Sequence, residues 1–461
     1  MEQNLENETD PMQSDEPACC MRSNVHAQHG TSVTIEPSVN QWASALSSYK
    51  SSPAREEIGL DTDRAIVMSG HQPIVFHNGI LAKLVALDEA SKRFDAQAVW
   101  IVPDMDAINP GQIRVPIGKG ESLRAELIEL YESHADGVAA ASHRAMEIQL
   151  PSGAYEQLDP LIEWVDQFAT LDTLAEQFAF GTIEYACELL GIETPRIVFA
   201  SELMGSQTIR AVIERMKTDP LRCVQAYNRA VMNHPDAGVR AMKIDGDVIE
   251  LPLWGCRTGQ PRVAIDSSNV DSFHSDELLP RGLLMSALAR LHLADLFIHG
   301  TGGYVYDRIS EEWFADWMGE SLSPMSMVTA THRLELGFDT DEIESMQSPQ
   351  QAKWTLHHAK HSPGMIGLDD DQRVKDEMVA KIDGLAPKSQ ERAIAYRKLQ
   401  DFLVNYRESH QDALDGIAEQ AKKVIALARQ RELARDRTWS FVFFDQESLQ
   451  VLDRATRDAM S

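Results

Sequence analysis

The sequence is poor in cysteine, in basic residues and in long apolar runs, and each shortage excludes something. Its five cysteines are Cys19, Cys20, Cys187, Cys223 and Cys256, an odd number with no CxxC pair. Adjacent Cys19 and Cys20 do not readily close a relaxed disulfide, so the pattern predicts a reducing, cytoplasmic setting without structural zinc. No apolar run approaches the roughly 18 residues of a membrane span, so none is expected. The acidic start, MEQNLENETDPMQSDEPACC, has neither a basic n-region nor an apolar h-region and does not read as a secretory signal. Lys plus Arg number 43 against 71 Asp plus Glu, a formal net charge of −28. A field of that sign repels phosphate backbones and anionic lipid. It argues against nucleic-acid and membrane partners, while a local basic pocket can still hold a small anion. There is no GxSxG elbow, no Gly-Lys-Ser/Thr phosphate loop and no repeat of fixed period.

What is present reads as a globular α/β protein. The chain has 461 residues, 43% hydrophobic and 25% charged, which suits two to four domains or one large domain with insertions. Residues 1–35 are polar and aperiodic, and are expected to be a disordered leader. A short amphipathic helix is expected within residues 37–50. Arg64-Ala-Ile-Val-Met-Ser-Gly70 reads as a buried strand, followed by a helix with Ile80, Leu81, Leu84, Val85 and Leu87 on one face. A second strand at 96–102 completes a βαβ unit, whose doubly buried strands argue for a parallel sheet. Further strands are expected at 196–200 and 293–298, and a hairpin turns at Asp245-Gly246. From about 341 to 435 helix formers dominate. Leu399, Leu403, Tyr406, His410, Ala413 and Ile417 step by three or four, as in a coiled-coil seam. The expected organisation is therefore a leader (1–35), an α/β core (36–340) with an insertion at about 112–265, a helical coiled-coil arm (341–438), and a closing strand and helix (439–461) docked on the core. The arm predicts a homodimer, with a hairpin folded back on itself as the alternative.

Three turns at strand ends carry the chemistry. In a parallel sheet, ligands bind beyond the carboxyl ends of the strands, against helix N-termini. The first turn holds Gly70, His71, Gln72, His77, Asn78 and Gly79, with Lys83 one turn into the helix. The second is Trp100-Ile-Val-Pro-Asp104-Met-Asp106, whose carboxylates suit an amine, a ribose hydroxyl or Mg²⁺. The third is Phe297-Ile-His299-Gly300-Thr-Gly302-Gly303, followed by Tyr306, Asp307 and Arg308. Its glycines let the backbone approach an oxyanion, and His299, Asp307 and Arg308 offer a base, a carboxylate and an anion clamp. His77, His299 and Asp307 are the catalytic candidates, and the remaining named residues, with Arg281 at the start of the helix before the glycine-rich strand, are substrate-binding candidates. His357 and His361 stand at i, i+4, but no Glu lies between them and Pro363-Gly364 ends the helix, so no metal site is assigned.

Two resemblances follow from these residues. His77-Asn78-Gly79 resembles the start of the HxGH signature of class I nucleotidylyltransferases, with Ile80 where the second His belongs. The order of Gly70-His71-Gln72 with Gly79, then Trp100 before Asp104 and Asp106, then the glycine-rich turn after Phe297 with Tyr306 nearby, resembles the bacillithiol biosynthesis cysteine-adding enzyme family over residues 60–461. His71 stands where that family usually has Gln, and His299 where Gly is common. The resemblance implies a Rossmann-like core akin to nucleotidylyltransferases, a connecting insertion and a dimerising coiled coil. It also implies a ligase that joins the carboxyl group of cysteine to an amino-sugar amine. The residues do not fix a cofactor, and ATP or ADP, with Mg²⁺, are the candidates. The alternative expectation is a catalytically degenerate binding or scaffold protein that dimerises through its coiled coil.

Overall fold

The computed structural model describes residues 25–26, 30–118, 122–131, 136–148, 150, 155–336 and 348–461. The chain begins with β1 (Val25–His26), β2 (Ser32–Glu36) and short helices α1 (Trp42–Leu46) and α2 (Pro53–Glu57). The expected βαβ unit follows as β3 (Ile66–Gly70), α3 (Asn78–Phe94) and β4 (Gln97–Val102). A hairpin of β5 (Gln112–Ile117) and β6 (Arg124–Glu129) and helices α4 (Asp159–Asp166) and α5 (Leu174–Leu190) precede β7 (Arg196–Phe199). Helices α6 (Gln207–Thr218) and α7 (Pro220–Asn233) lead into a small antiparallel sheet of β8 (Ile244–Asp245), β9 (Val248–Gly255), β10 (Val263–Asp266) and β11 (Leu278–Pro280). The core resumes with α8 (Gly282–His292), β12 (Leu296–His299), α9 (Thr301–Met318) and β13 (Met325–Thr331). Helices α10 (Pro349–Ala359), α11 (Asp369–Asp383), α12 (Gln390–Ser409) and α13 (Gln411–Arg435) form the arm, and α14 (Gln446–Met460) closes the chain.

The central sheet has the order β1-β2-β13-β12-β3-β4-β7. The five strands from β13 to β7 are parallel, and β2 adds antiparallel to β13. The chain winds outward from β3 through β4 to β7, then crosses back to place β12 and β13 on the other side of β3. The winding therefore reverses between β3 and β12. Strand alternation sorts the side chains into two layers. Ile66 and Met68 pack with α6, α7, α8 and α9, whereas Val67, Trp100 and Ile298 pack with α3, α5 and α14. Each large apolar side chain buried in these layers contributes about 1.5–3 kcal/mol.

Local signals fix the ends of several elements. Thr173 and Glu176 form a reciprocal capping box that starts α5, and Gly191 at φ +64° ends it. Gly246, at φ +59°, makes the tight β8–β9 turn. The helix formers between residues 155 and 191 build two helices, α4 and α5, with turns between Asp166 and Leu174.

Four expectations are corrected. The leader does not extend to residue 35: β2 pairs with β13, with Ile35 opposite Val328, and Val33 is buried in the core. The start of the leader, residues 1–24, lies outside the described residues. The proposed insertion contains β7, which belongs to the central sheet, so the inserted material is split into two parts by a core strand. The coiled-coil seam is not one continuous helix: α12 stops at Ser409, and α13 starts at Gln411. Leu399, Leu403 and Tyr406 pack with Ala359 and Ile382, while Ala421 and Val424 pack with Ala352, so the described part of the arm closes on itself. Finally, Trp439 to Phe444 is not a strand but a one-turn 3-10 segment, Phe441–Phe443, with a single bridge between Ser440 and His77. A turn brings Trp439, Phe441 and Phe444 all into the core, and the Trp439 indole N–H donates to the Leu433 carbonyl at 2.9 Å. No helix among the described residues is long and apolar enough to cross a membrane.

Candidate functional site

The loops after β3 and β12 leave the sheet where the winding reverses, the position at which parallel sheets of this kind open a ligand-binding crevice beyond the carboxyl ends of the strands. Two long helices start there. α3 is capped by His77, whose Nδ1 accepts from the Gly79 N–H at 3.0 Å, and α9 is capped by Gly300. The first N–H groups of a helix have no acceptor within it, so Thr301, Gly302 and Gly303 present donors at the positive end of α9. Three glycines are there for different reasons. A Cβ on Gly70 would lie 2.1 Å from the Ile101 carbonyl oxygen, so the backbones of β3 and β4 approach too closely for a side chain. A Cβ on Gly303 would lie 2.6 Å from His299 Nδ1, so glycine makes room for the ring. A Cβ on Gly302 would meet nothing within 4 Å, so that side of the turn is open.

Lys83 is 3% exposed, and its Nζ donates to the Gly70 carbonyl at 2.5 Å, 5.2 Å from the centre of the Trp100 ring. No carboxylate pairs with it among the described residues, and burial pushes its pKa down to about 7. Asn78 is fully buried, and neither its Oδ1 nor its Nδ2 has a hydrogen-bond partner among the described residues. Burial and then the Lys83 and His77 charges push His71 down to about 3. His77 is pushed down to about 4 by burial first, then by Arg437 and Lys83. Both imidazoles are therefore neutral near pH 7, and His77 uses its lone pair to cap α3.

Behind the crevice lies a charged network. His299 Nε2 lies 3.0 Å from Asp307 Oδ2, which also accepts from Arg290 Nη1 at 2.7 Å. Asp307 Oδ1 accepts from Ser286 Oγ at 2.5 Å and Ser310 Oγ at 2.6 Å, and Arg290 also pairs with Glu311. Burial alone would push the Asp307 carboxyl up, but His299, Arg290 and Ser286 together hold it well below the usual range. Burial lowers His299, and Asp307 restores part of that loss. Tyr306 keeps a third of its surface exposed, and its phenol is pushed up to about 12 by burial and by the fields of Asp307 and Asp106.

The remaining candidates point elsewhere or are already engaged. Ser201 donates to both Asp104 oxygens, from its N–H at 3.1 Å and its hydroxyl at 2.5 Å. Burial pushes Asp104 up to about 7, and it lines a separate cavity of about 440 Å³ with Phe199, Cys256 and Arg257. Asp106 accepts from Gln72 Nε2 at 2.7 Å and faces Arg262 at 3.4 Å. The two carboxylates thus do not combine into a cation site, and no three metal-ligating side chains cluster among the described residues. Arg281 pairs with Glu250 at 2.7 Å and lies over the Trp254 ring, which Arg262 also covers. Arg308 lies over Tyr304 and lines a different groove with Gln41 and His234. His357 and His361 stand 5.7 Å apart between ring centres. Sequence reasoning missed Ser201, which a polar residue just after an expected strand could have signalled, as well as Arg262 and Arg437, which carry no local signal. No protein-family model and no curated protein matches the sequence.

Proposed function

We propose that this chain is a small-molecule enzyme whose Rossmann-like core holds an anionic substrate between the first turns of α3 and α9. One observation carries the reading: Lys83 and Asn78 are buried at the crevice with a charge and an amide that the described chain leaves without counter-charge or partner. Burying an unpaired ammonium costs several kcal/mol, and a phosphate or carboxylate in the crevice offsets that cost. Two helix N-termini aimed at one crevice favour the same charge.

Within that class the reaction is carbon–nitrogen ligation, the joining of a cysteine-like carboxylate to an amino-sugar amine, as the resemblance implies. The N–H groups of Gly302 and Gly303 would hold the oxyanion that develops at the carboxyl carbon. Lys83, close to neutral, would balance the substrate's charge or accept a proton. ATP or ADP would phosphorylate the carboxylate, with ADP or AMP leaving, and the amine would then displace inorganic phosphate from the carbonyl carbon. The arm would join two copies, which sedimentation at twice the 51.5 kDa chain mass tests. One observation favours a second reading, a binding protein without catalysis: Ile80 replaces the second signature histidine, and His77 is committed to capping.

Calorimetry with ATP, ADP, cysteine and amino-sugar conjugates tests the site. Binding that is lost in Lys83→Met supports it, and no heat from any of them rejects it. Mass spectrometry of the same mixtures separates a ligase, which forms a condensed product, from a binding protein, which does not.

A further inference from the structure

We infer that Arg437, carried to the crevice by the segment that returns from the helical arm, is a second cation of the anion site. The site is then complete only when that segment is docked. This rests on the proposed anion site and adds to it a residue from the far end of the chain.

The docking is explicit. Ser440 bridges His77, the cap of α3, and the Phe441 N–H donates to the Phe76 carbonyl at 3.2 Å. The Phe76 and Phe441 rings lie 5.5 Å apart between centres, and Trp439 is 1% exposed. Four residues before this anchor, Asp436 pairs with Arg114 and accepts from the Thr438 N–H at 2.8 Å and hydroxyl at 2.6 Å. Arg437 thus lies on a stretch fixed on both sides, three residues before Ser440, which bridges the cap of α3. It is half-buried, and no hydrogen bond or ion pair is formed by its guanidinium among the described residues. The neighbouring carboxylate that could neutralise it, Asp436, already serves Arg114 and Thr438. Burial and then the Arg437 and Lys83 charges lower the His77 pKa, and the Asp436 carboxylate acts against them. Lys83, Arg437 and the α3 N-terminus thus gather positive charge near His77, with Asp436 acting against it, in a chain of net charge −28. A guanidinium fork suits phosphate or carboxylate oxygens better than a lysine does. The segment leaves α13 at Arg435, so any movement of the arm that lifts it takes this cation away.

The test is titration of the full-length chain with inorganic pyrophosphate, followed by calorimetry, together with nuclear magnetic resonance titration of His77. Arg437→Gln should weaken pyrophosphate binding about tenfold or more, and Arg437→Lys should recover much of it. Lys423→Gln, an exposed change on α13, should bind as the wild type does. In Arg437→Gln the His77 pKa should rise, because a positive neighbour is gone. Wild-type affinity in Arg437→Gln, or an unmoved His77, overturns the inference and leaves the site itself standing. If the wild type binds no pyrophosphate, the anion site fails and this inference fails with it.

Discussion

The Lys83 ammonium donates to the carbonyl of Gly70 at 2.5 Å from within the protein, and no carboxylate meets it among the described residues. Lys83, in the second turn of the buried α3, thus points back at the strand end that precedes the helix. Its charge lies where β3 and β12 part.

That arrangement makes stability depend on pH in a particular direction. Burial lowers Lys83 from its ordinary 10.5 to about 7. As pH falls from 10.5 towards 7, the unfolded chain takes up a proton that the folded state refuses, so stability falls across this window and levels off below it. Lys83→Met removes the dependence. Urea unfolding at pH 7.5 and pH 9.5 should show the wild type gaining about 2.5 kcal/mol more than the variant as pH rises. Equal gains would show that Lys83 is not buried as a cation.

Asn78 should trade stability for binding. Its side chain is buried without partners, so Asn78→Leu, similar in volume, removes an unmet polar cost. The ligand-free variant should be more stable by about 1–2 kcal/mol in thermal or urea unfolding, while pyrophosphate affinity falls. A less stable variant would mean that the amide has a partner within the fold.

Asp307 should be structural as well as functional. Its partner Arg290 is fully buried, so Asp307→Asn leaves a buried guanidinium short of charge and should cost about 3–5 kcal/mol. The Asp307 carboxyl is held below its unfolded value. Its stabilisation is therefore complete above the ordinary carboxylate pKa and fades as pH falls through the lowered one. Acid unfolding of the wild type should include this loss, and that of the variant should not.

The glycines separate fold from site. Gly70→Ala sets a Cβ against the Ile101 backbone and should prevent folding or lower Tm sharply. Gly302→Ala meets nothing and should keep the wild-type Tm. If a ligand closes on that turn, the added methyl should weaken pyrophosphate binding about tenfold, to be read by calorimetry. Unchanged binding would place the ligand away from Gly302.

The sequence made the sheet legible where strands are buried on both faces. Residues 64–70, 96–102, 196–200 and 293–298 read as apolar runs, and strands β3, β4, β7 and β12 stand there. β2 and β13 escaped because Ser32–Glu36 and Met325–Thr331 are rich in Ser and Thr, and their burial depends on pairing across 290 residues. The aromatic run at 439–444 misled for the opposite reason: aromatics favour burial, and a tight turn buried them as well as a strand would. The strand-end rule placed Lys83, Gly302 and His299 beside the ends of β3 and β12, where the structure has them. It gave no guide to side-chain direction, so Asp104, which Ser201 holds, and Arg308, which faces another groove, were grouped with them. The isolation of Asn78 and the proximity of Arg437 to His77 exist only once the ends of the chain come together.

The most direct test is pyrophosphate calorimetry at pH 8 in buffers of different ionisation enthalpy, on the wild type and on Lys83→Met. A buried lysine that gains a counter-charge should take up a proton on binding. The account predicts proton uptake by the wild type, and weak binding without uptake by the variant. Binding of equal strength in both proteins, with no proton exchanged, would contradict it.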